Sequence, residues 1–333
     1  MKHLGEFELI ELFTRALPLR GEGVLLGVGD DAAILSPPRG ERLVATADAI
    51  FEGVHFDRRF SDADVGWKAL AVNLSDLAAM GARPLWALVA LALPRDTDPA
   101  RVAGIARGLG RCARLHRVAV VGGNVTRARQ LSLTVTVVGS APAPLRRDGA
   151  RPGDAILLSG TVGDAALGLR RGAAAALARR QRRPTPRLDL GRALRGIASA
   201  AIDVSDGVVQ DLGHLCQASG VAASVRLEEL PLSPAYRRAT RGAADPWAEA
   251  LSGGEDYELC VTVPVRKLAA ARRAAARAAT PLAVVGTILA GAGVQVVECG
   301  GGLHAWRPGH DHLARGRHAV LTNPRALIGS ILP

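Results

Sequence analysis

Apolar and polar positions alternate along this chain in two rhythms, and the changes between them mark its elements. In GEFELIELFTRAL, Phe7, Ile10, Phe13 and Leu17 recur at helical spacing, which predicts an amphipathic helix near the start. A strand is predicted at about 43–48. Residues 64–80, DVGWKALAVNLSDLAAM, read as a helix closed by Gly81, and Pro84 blocks its simple continuation. The apolar run at 85–93 predicts a strand, about 99–115 a helix, VAVVGG a short strand, and LSLTVTVVGS at 131–140 a half-buried strand.

The segment APAPLRRDGARPGD combines Pro, Gly and charge, so a domain boundary is expected near 142–154. That division gives an N-terminal domain over 1–141, a C-terminal domain over 142–313 and a tail over 314–333. The second half reads as strand AILLSG, a single helix across TVGDAALGLRRGAAAALARR, and a Pro- and Arg-rich linker, QRRPTPRLD. Strand SAAID and helix SDGVVQDLGHLCQASG follow. After a loop, SGGEDYELCVTV and LAVVGTI are strands flanking an Arg/Ala-rich helix at 266–279. No fixed-period repeat is visible and βαβ units do not alternate regularly, so the fold class is α+β or mixed α/β in two lobes.

Composition narrows this further. A length of 333 residues favours two domains, and 48% apolar against 22% charged residues argues for packed cores. The longest apolar run, 85–93, falls well short of the ~20 residues a spanning helix needs. Acidic residues stand in MKHLGEFELIELF where a signal peptide would be apolar, so a cytoplasmic location is expected. Cys112, Cys216, Cys260 and Cys299 make no C-x-x-C pair and read as buried thiols. A net charge of +11 invites a nucleic-acid reading, yet only Lys2, Lys68 and Lys267 among the 42 basic residues are lysines. Such a bias fits arginine-rich coding. With 3% aromatics there are too few side chains for base stacking, so no nucleic-acid partner is expected.

The chain has no G-x-x-x-x-G-K-[ST], no H-R-D or D-F-G, and no G-x-S-x-G. It offers instead aspartates beside glycine or at strand ends: Asp30 and Asp31, Asp48, Asp76, Asp203 and Asp206. Hard oxygen ligands from separate elements suit Mg²⁺ on phosphates, because that ion takes one or two carboxylates and completes its shell with substrate oxygens and water. Any one of them alone is more often a cap or turn residue, and the combination carries the weight. In IDVSDG a strand delivers Asp203 to its end, Ser205 can cap the next helix, and Gly207 leaves space for an anion. Gly122-Gly123 before Asn124 and Gly253-Gly254 before Glu255 are weaker loop signals.

GVGDDAA, TADAIFEGVHF, WKALAVNLSDLAAMGARP, VGGN, RDGARPGD, SGTVGDAALGL, RRPTPR, IDVSDGVVQDLGHL and SGGEDYEL occur in an order and spacing that resemble the thiamine-monophosphate kinase family, over about 4–311. The resemblance implies a two-lobed α+β protein, with an N-terminal mixed sheet forming a barrel across a homodimer and a C-terminal α/β lobe. It implies ATP as co-substrate, several Mg²⁺ ions, and direct conversion of thiamine monophosphate to thiamine diphosphate. By motif position, Asp31, Thr46, Asp48, Asp76, Asn124, Asp203 and Asp206 would hold magnesium. Gly123, Asn124, Arg147 and Ser205 would meet ATP; His55, Glu255 and Trp306 would meet the thiamine substrate. Asp206 and Arg147 would be the catalytic pair, since phosphoryl transfer needs positioning and charge neutralisation more than a covalent nucleophile.

The chain departs from the family pattern at Ala47, where Thr is usual, at Asn124, where many members have Asp, and at 310–313, where the aromatic-Asp-His-Phe ending becomes HDHL. Two alternatives follow: a superfamily relative using ATP on another small substrate, and a non-catalytic nucleotide-binding paralogue. Bland readings stand beside the sharp ones. Outside the motif, His55 reads as an ordinary surface or core histidine, and Glu255 and Asp256 as caps of a turn. The arginines from 170 to 187 read as a solvated face, RRPTPR as a rigid linker, and Trp67 and Trp86 as core or dimer contacts.

Overall fold

The computed structural model of the chain describes residues 5–170 and 173–307. The expected tail and the HDHL segment lie outside the described residues. The first helix, α1 (Glu6–Thr14), buries Phe13 and leads to buried Leu17, but leaves Phe7 84% exposed. Helical spacing alone put Phe7 on the packed face. The helix has only nine residues, and its first turn leaves that ring in solvent.

A two-stranded ribbon, β1 (Val24–Leu26) with β2 (Ile34–Leu35), precedes the long strand β3 (Arg42–Phe51). Helix α2 (Asp62–Ala79) starts at a capping box: the Ser61 hydroxyl accepts from the Asp64 N–H at 3.2 Å, and the Asp64 carboxylate accepts from the Ser61 N–H at 3.2 Å. Strand β4 (Arg83–Leu93), helix α3 (Pro99–His116), β5 (Ala119–Arg127) and β6 (Ser132–Ala141) complete a four-stranded sheet. Its order is β3-β6-β4-β5, antiparallel except for the β4–β5 pair.

The second sheet has six strands. They are β7 (Ala155–Ser159), β8 (Ala200–Val204), β9 (Ala222–Arg226), β10 (Glu258–Val263), β11 (Leu282–Leu289) and β12 (Gly293–Val297), in the order β12-β9-β11-β7-β10-β8. Only β12 and β9 run parallel. Sequence reading passed over β9 and β12, which are five residues each with few buried positions.

The expected single helix over 161–180 is two helices, α4 (Asp164–Gly168) and α5 (Ala175–Arg182). Alanines on both sides of GLRRG read as one pattern and hid the break. The two pieces fold onto each other so closely that a Cβ on Gly168 would lie 2.4 Å from the Leu177 carbonyl oxygen. The expected linker likewise has structure, with Pro184 and Pro186 buried and α6 (Leu188–Leu194) directly after them. Helix α7 (Val208–Ser219) covers the other face of the six-stranded sheet, packing Val208, Val209, Leu212 and Leu215 against Ile156, Leu158, Ile202 and Val204.

Helix α2 is the part that joins the lobes. One continuous apolar cluster runs from Val135 and Val137 of the four-stranded sheet through Leu70, Leu74 and Leu77 of α2 to Leu157, Leu259 and Val261 of the six-stranded sheet. A helix buried nearly all round needs small residues where backbones cross. Gly66 meets α3 so closely that an added Cβ would fall 1.9 Å from the Ile105 carbonyl oxygen, and Gly108 of α3 meets Ala63 in the same way. Gly66→Ala is therefore expected to lose about 3 kcal/mol, overpacking outweighing a helix-propensity gain of about 1 kcal/mol. Gly213→Ala in α7, where an added Cβ meets nothing within 4 Å, should be neutral or stabilising, and urea titration of both variants checks the contrast.

Candidate active site

Strand alternation and helix period bring acidic groups from both lobes to one wall. On β3 the side chains of Thr46 and Asp48 share the inward face, two residues apart, while Ala47 lies exposed on the opposite face. On α2, Lys68, Val72 and Asp76 repeat at i, i+4 and i+8 and form one stripe about 12 Å long. On β8, Asp203 is the penultimate residue. The Thr46 hydroxyl donates to Asp76 Oδ2 at 2.5 Å, the Ser75 hydroxyl donates to Asp203 Oδ2 at 2.7 Å, and the Asp48 N–H donates to Asn73 Oδ1 at 3.0 Å.

Two cavities meet at that wall. One, about 350 Å³, is lined by Asp48, Val54, His55, Leu169, Asp206, Glu255 and Tyr257 among others. A second, about 570 Å³, is lined by Val44, Thr46, Arg146, Arg147, Asp148 and Ala201 among others. Asp76 and Asp203 line both. A larger cavity of about 860 Å³ lies elsewhere, among Arg20, Arg114, His116, Arg192 and Thr280, and holds none of the expected site residues. The smaller pair, and not the larger cavity, is where Thr46, Asp48, Asp76, Arg147, Asp203 and Asp206 gather.

The acids at this wall sit in electrostatic tension. Burial raises Asp76 above the ordinary carboxylate range, with the Thr46 hydroxyl, Arg147 and Asp48 drawing it partly back. Asp203 is pushed up to about 8 by burial first and then by the charge of Asp76, against the lowering effect of the Ser75 hydroxyl. Neither makes an ion pair with Lys or Arg within 4 Å among the described residues. No group of three or more His, Cys, Asp or Glu side chains there is already gathered as a metal cage. Buried hard oxygen donors in repulsion nonetheless fit Mg²⁺, which draws only one or two carboxylates and takes its other ligands from phosphate and water.

The loops around the wall are organised by residues that sequence reading did not single out. Ser205 does not cap α7, which begins after Gly207 with no side-chain cap. Asp211 does the equivalent work: its Oδ2 accepts from the N–H groups of Ser205, Asp206 and Gly207 at 3.0, 3.0 and 3.1 Å. Gly207 (φ 121°) leaves room for protein rather than for an anion, since a Cβ there would lie 2.9 Å from the Ser252 backbone. In SGGEDYEL, Glu255 (φ 70°) and Tyr257 (φ 52°) both take left-handed backbone, held by N–H bonds to Ser205 O and Val204 O at 2.7 and 2.8 Å. The three acids then diverge. Glu255 meets Lys68 and Gln181, Asp256 accepts from the N–H groups of Gly163 and Ala165, and Glu258 meets Ser159, Arg180 and Arg187.

This arrangement corrects the solvated-face reading for Arg180, Arg183 and Arg187, while Arg170 and Arg179 are exposed as that reading expects. Arg180 and Arg187 both pair with Glu258, which is fully buried, and Arg183 pairs with Asp64 at the start of α2. RRPTPR is a strap across the two lobes; the Pro184 carbonyl accepts from the Trp67 indole N–H at 3.1 Å.

Not every expected site residue lies at the cavities. His55, Asp48, Asp76, Asp203, Ser205, Asp206 and Glu255 line the first; Thr46, Asp76, Asp203 and Arg147 line the second. Asp31 is exposed in a turn with its N–H on Asp30 Oδ1. Gly123 and Asn124 are exposed on β5 opposite Val89 and Ala90, and Trp306 is half-buried against the core beneath α7.

Residues 29–141 match the family described as AIR synthase related protein, N-terminal domain, and residues 151–298 match its C-terminal domain. A thiamine-monophosphate kinase of Salmonella typhimurium is 41% identical over 93% of this chain and 98% of its own length. The crystal structure of thiamine-monophosphate kinase from Stenotrophomonas maltophilia superposes with a TM-score of 0.80 at 45% identity, covering 88% of this chain and 96% of that one. AaThiL complexed with AMPPCP and TMP superposes with a TM-score of 0.75 at 33% identity, over 94% and 98% of the two chains.

The repulsion at Asp203 has a sign that can be measured. Its pKa rises on folding from 3.8 to about 8, so between those values the folded state keeps a proton that the unfolded chain releases. Stability is full below about pH 4 and is lost as pH rises through about 8. In metal-free buffer the melting temperature should fall across that window, and Asp203→Asn should flatten the fall in scanning fluorimetry. Equal slopes in the two proteins would remove the repulsion from this account.

Proposed function

The chain belongs to the thiamine-monophosphate kinase family of AIR synthase related proteins, and we propose that it transfers the terminal phosphoryl group of ATP directly to thiamine monophosphate, giving thiamine diphosphate. The observation that carries this reading is the pair of cavities sharing the Asp76–Asp203 wall. Two phosphate-bearing substrates, one in each cavity, would meet at the carboxylates. In-line transfer needs that arrangement, because attacking and leaving oxygens lie on opposite faces of the transferred group.

In this reading the cavity with His55, Glu255 and Tyr257 takes the thiamine end of the acceptor, and Val54 and Leu169 supply apolar walls. The cavity with Thr46 and Arg147 takes the phosphates of ATP, with Arg147 offering a guanidinium fork to phosphate oxygens. Asp48, Asp76, Asp203 and Asp206 would hold Mg²⁺. When bound, the ions would supply charge neutralisation on the phosphates. The chain's own part is orientation: Thr46 and Ser75 fix the carboxylates of Asp76 and Asp203 by hydrogen bonds, and Asp211 fixes the backbone that carries Ser205 and Asp206. Thiamine diphosphate formed from ATP, Mg²⁺ and thiamine monophosphate, resolved by chromatography, is the direct test. ATP turnover only with another small substrate would favour a superfamily relative, and nucleotide binding without turnover a non-catalytic paralogue.

A homodimer belongs to the same proposal. Leu43, Phe51 and Leu88 stand exposed on the outer face of the four-stranded sheet, separated by Thr134, Thr136 and Val138. A second copy laid on this face would bury them and close the two sheets into a barrel. Asp31, exposed between β1 and β2, and Gly123 and Asn124, exposed on β5, are proposed to contribute to the ATP site in the assembled dimer.

Asn at Asp76, Asp203 or Asp206 keeps the shape but removes a charge, so kcat should fall about a hundredfold or more, near 3 kcal/mol, with partial recovery at high Mg²⁺. His55→Ala should chiefly raise KM for thiamine monophosphate and leave KM for ATP nearly unchanged; near-normal turnover in the Asn variants, or an ATP-specific defect in His55→Ala, would defeat the respective assignments. In sedimentation velocity at micromolar concentration the wild type should run as a dimer and Leu88→Glu as a monomer. A wild-type monomer with full activity would remove the dimer.

A further inference from the structure

Lys68 is a lysine in a chain that otherwise uses arginine almost everywhere, and its side chain is fully buried in α2. Its ammonium has three N–H donors, and three groups surround it. The His55 carbonyl oxygen accepts at 2.9 Å, Glu255 Oε1 accepts, and the Phe60 ring lies with its centroid 5.4 Å away. The other oxygen of Glu255 accepts from the Gln181 side-chain amide at 3.1 Å. Desolvation draws the Lys68 pKa down and the Glu255 carboxylate draws it back up.

A buried ion pair is weak evidence of stabilisation, because desolvating both charges offsets most of their attraction. An apolar side chain would pack in this position at lower cost. What the pair supplies is geometry. Glu255 sits on left-handed backbone in a loop of the C-terminal lobe, whereas His55 and Lys68 belong to the N-terminal lobe. One ammonium ties all three.

We propose that Lys68 is a positioning residue for the acceptor site: it fixes Glu255 and the His55 main chain relative to each other, and so sets where the ring end of the acceptor docks. The proposal rests on the reading above, in which His55 and Glu255 meet thiamine monophosphate. It also changes the role of Glu255. Its charge is already matched by Lys68, so towards the cavity it is an oriented hydrogen-bond acceptor, and attraction for a cationic thiazolium ring falls to the aspartates of the wall.

A double-mutant cycle of Lys68→Met and Glu255→Gln tests this, with KM measured separately for thiamine monophosphate and ATP. Lys68→Met alone should raise KM for thiamine monophosphate about tenfold or more, while kcat and KM for ATP change less than about threefold. In the Glu255→Gln background the same substitution should add less than about twofold, because its target is already gone. Gln181→Met, which removes only the outer hydrogen bond, should give a smaller rise confined to thiamine monophosphate, and it decides the matter if Lys68→Met fails to fold. Independent, multiplying effects in the two backgrounds, a matching rise in KM for ATP, or no acceptor effect in Gln181→Met would overturn the positioning role. A wild-type chain that phosphorylates another acceptor but not thiamine monophosphate would overturn the functional reading instead, and this proposal with it.

Discussion

Everything in this molecule is arranged around a helix buried on all sides. Helix α2 packs against α3 and the four-stranded sheet on one side and against α6 and the six-stranded sheet on the other. That burial demands glycine and alanine where backbones cross, and it also requires that every polar side chain on the helix find a partner. Asn73, Ser75 and Lys68 do so across element boundaries: Asn73 to β3, Ser75 to β8, Lys68 to the loop before β10. The polar satisfaction of one helix is therefore the same set of contacts that holds the two lobes in register.

The site inherits this constraint. The stripe Lys68–Val72–Asp76 lies along the floor of the cleft, with a matched cation–anion pair at one end and unmatched carboxylates at the other. Val72 is the apolar residue between them. The acids at the unmatched end oppose folding, since burial raises both Asp76 and Asp203 and the charge of Asp76 raises Asp203 further. The apolar packing of α2 is what tolerates this repulsion.

The SGGEDYEL loop shows how closely structure and chemistry are shared. Its three acids leave the backbone in three directions, and only Glu255 reaches the cavity. Asp256 holds the turn that starts α4, and Glu258 anchors the arginine strap from α5 to α6. Two of the three are scaffolding. A substitution at Asp256 or Glu258 would disturb the cleft through α4 and the strap without touching a substrate.

What the sequence determined by itself was local. Helical and strand periodicity located α2, α3, β4, β6 and β7 to within a few residues, because each buries a regular stripe, and the aspartates of TADAIFEGVHF, NLSDLAAMG and IDVSDG stood out beside glycines and strand ends. Periodicity failed where burial is decided by distant partners: α4 and α5 merged because the alanines on both sides of GLRRG outweighed its glycines, and β9 and β12 escaped because short, half-exposed strands have little pattern. The tertiary structure alone decided which side chains meet. No spacing in the sequence joins Lys68 to Glu255, 187 positions away, Arg187 to Glu258, or Ser75 to Asp203. Those pairs exist because two sheets close on one helix, and a buried charge placed there must find whatever opposite group the fold brings to it.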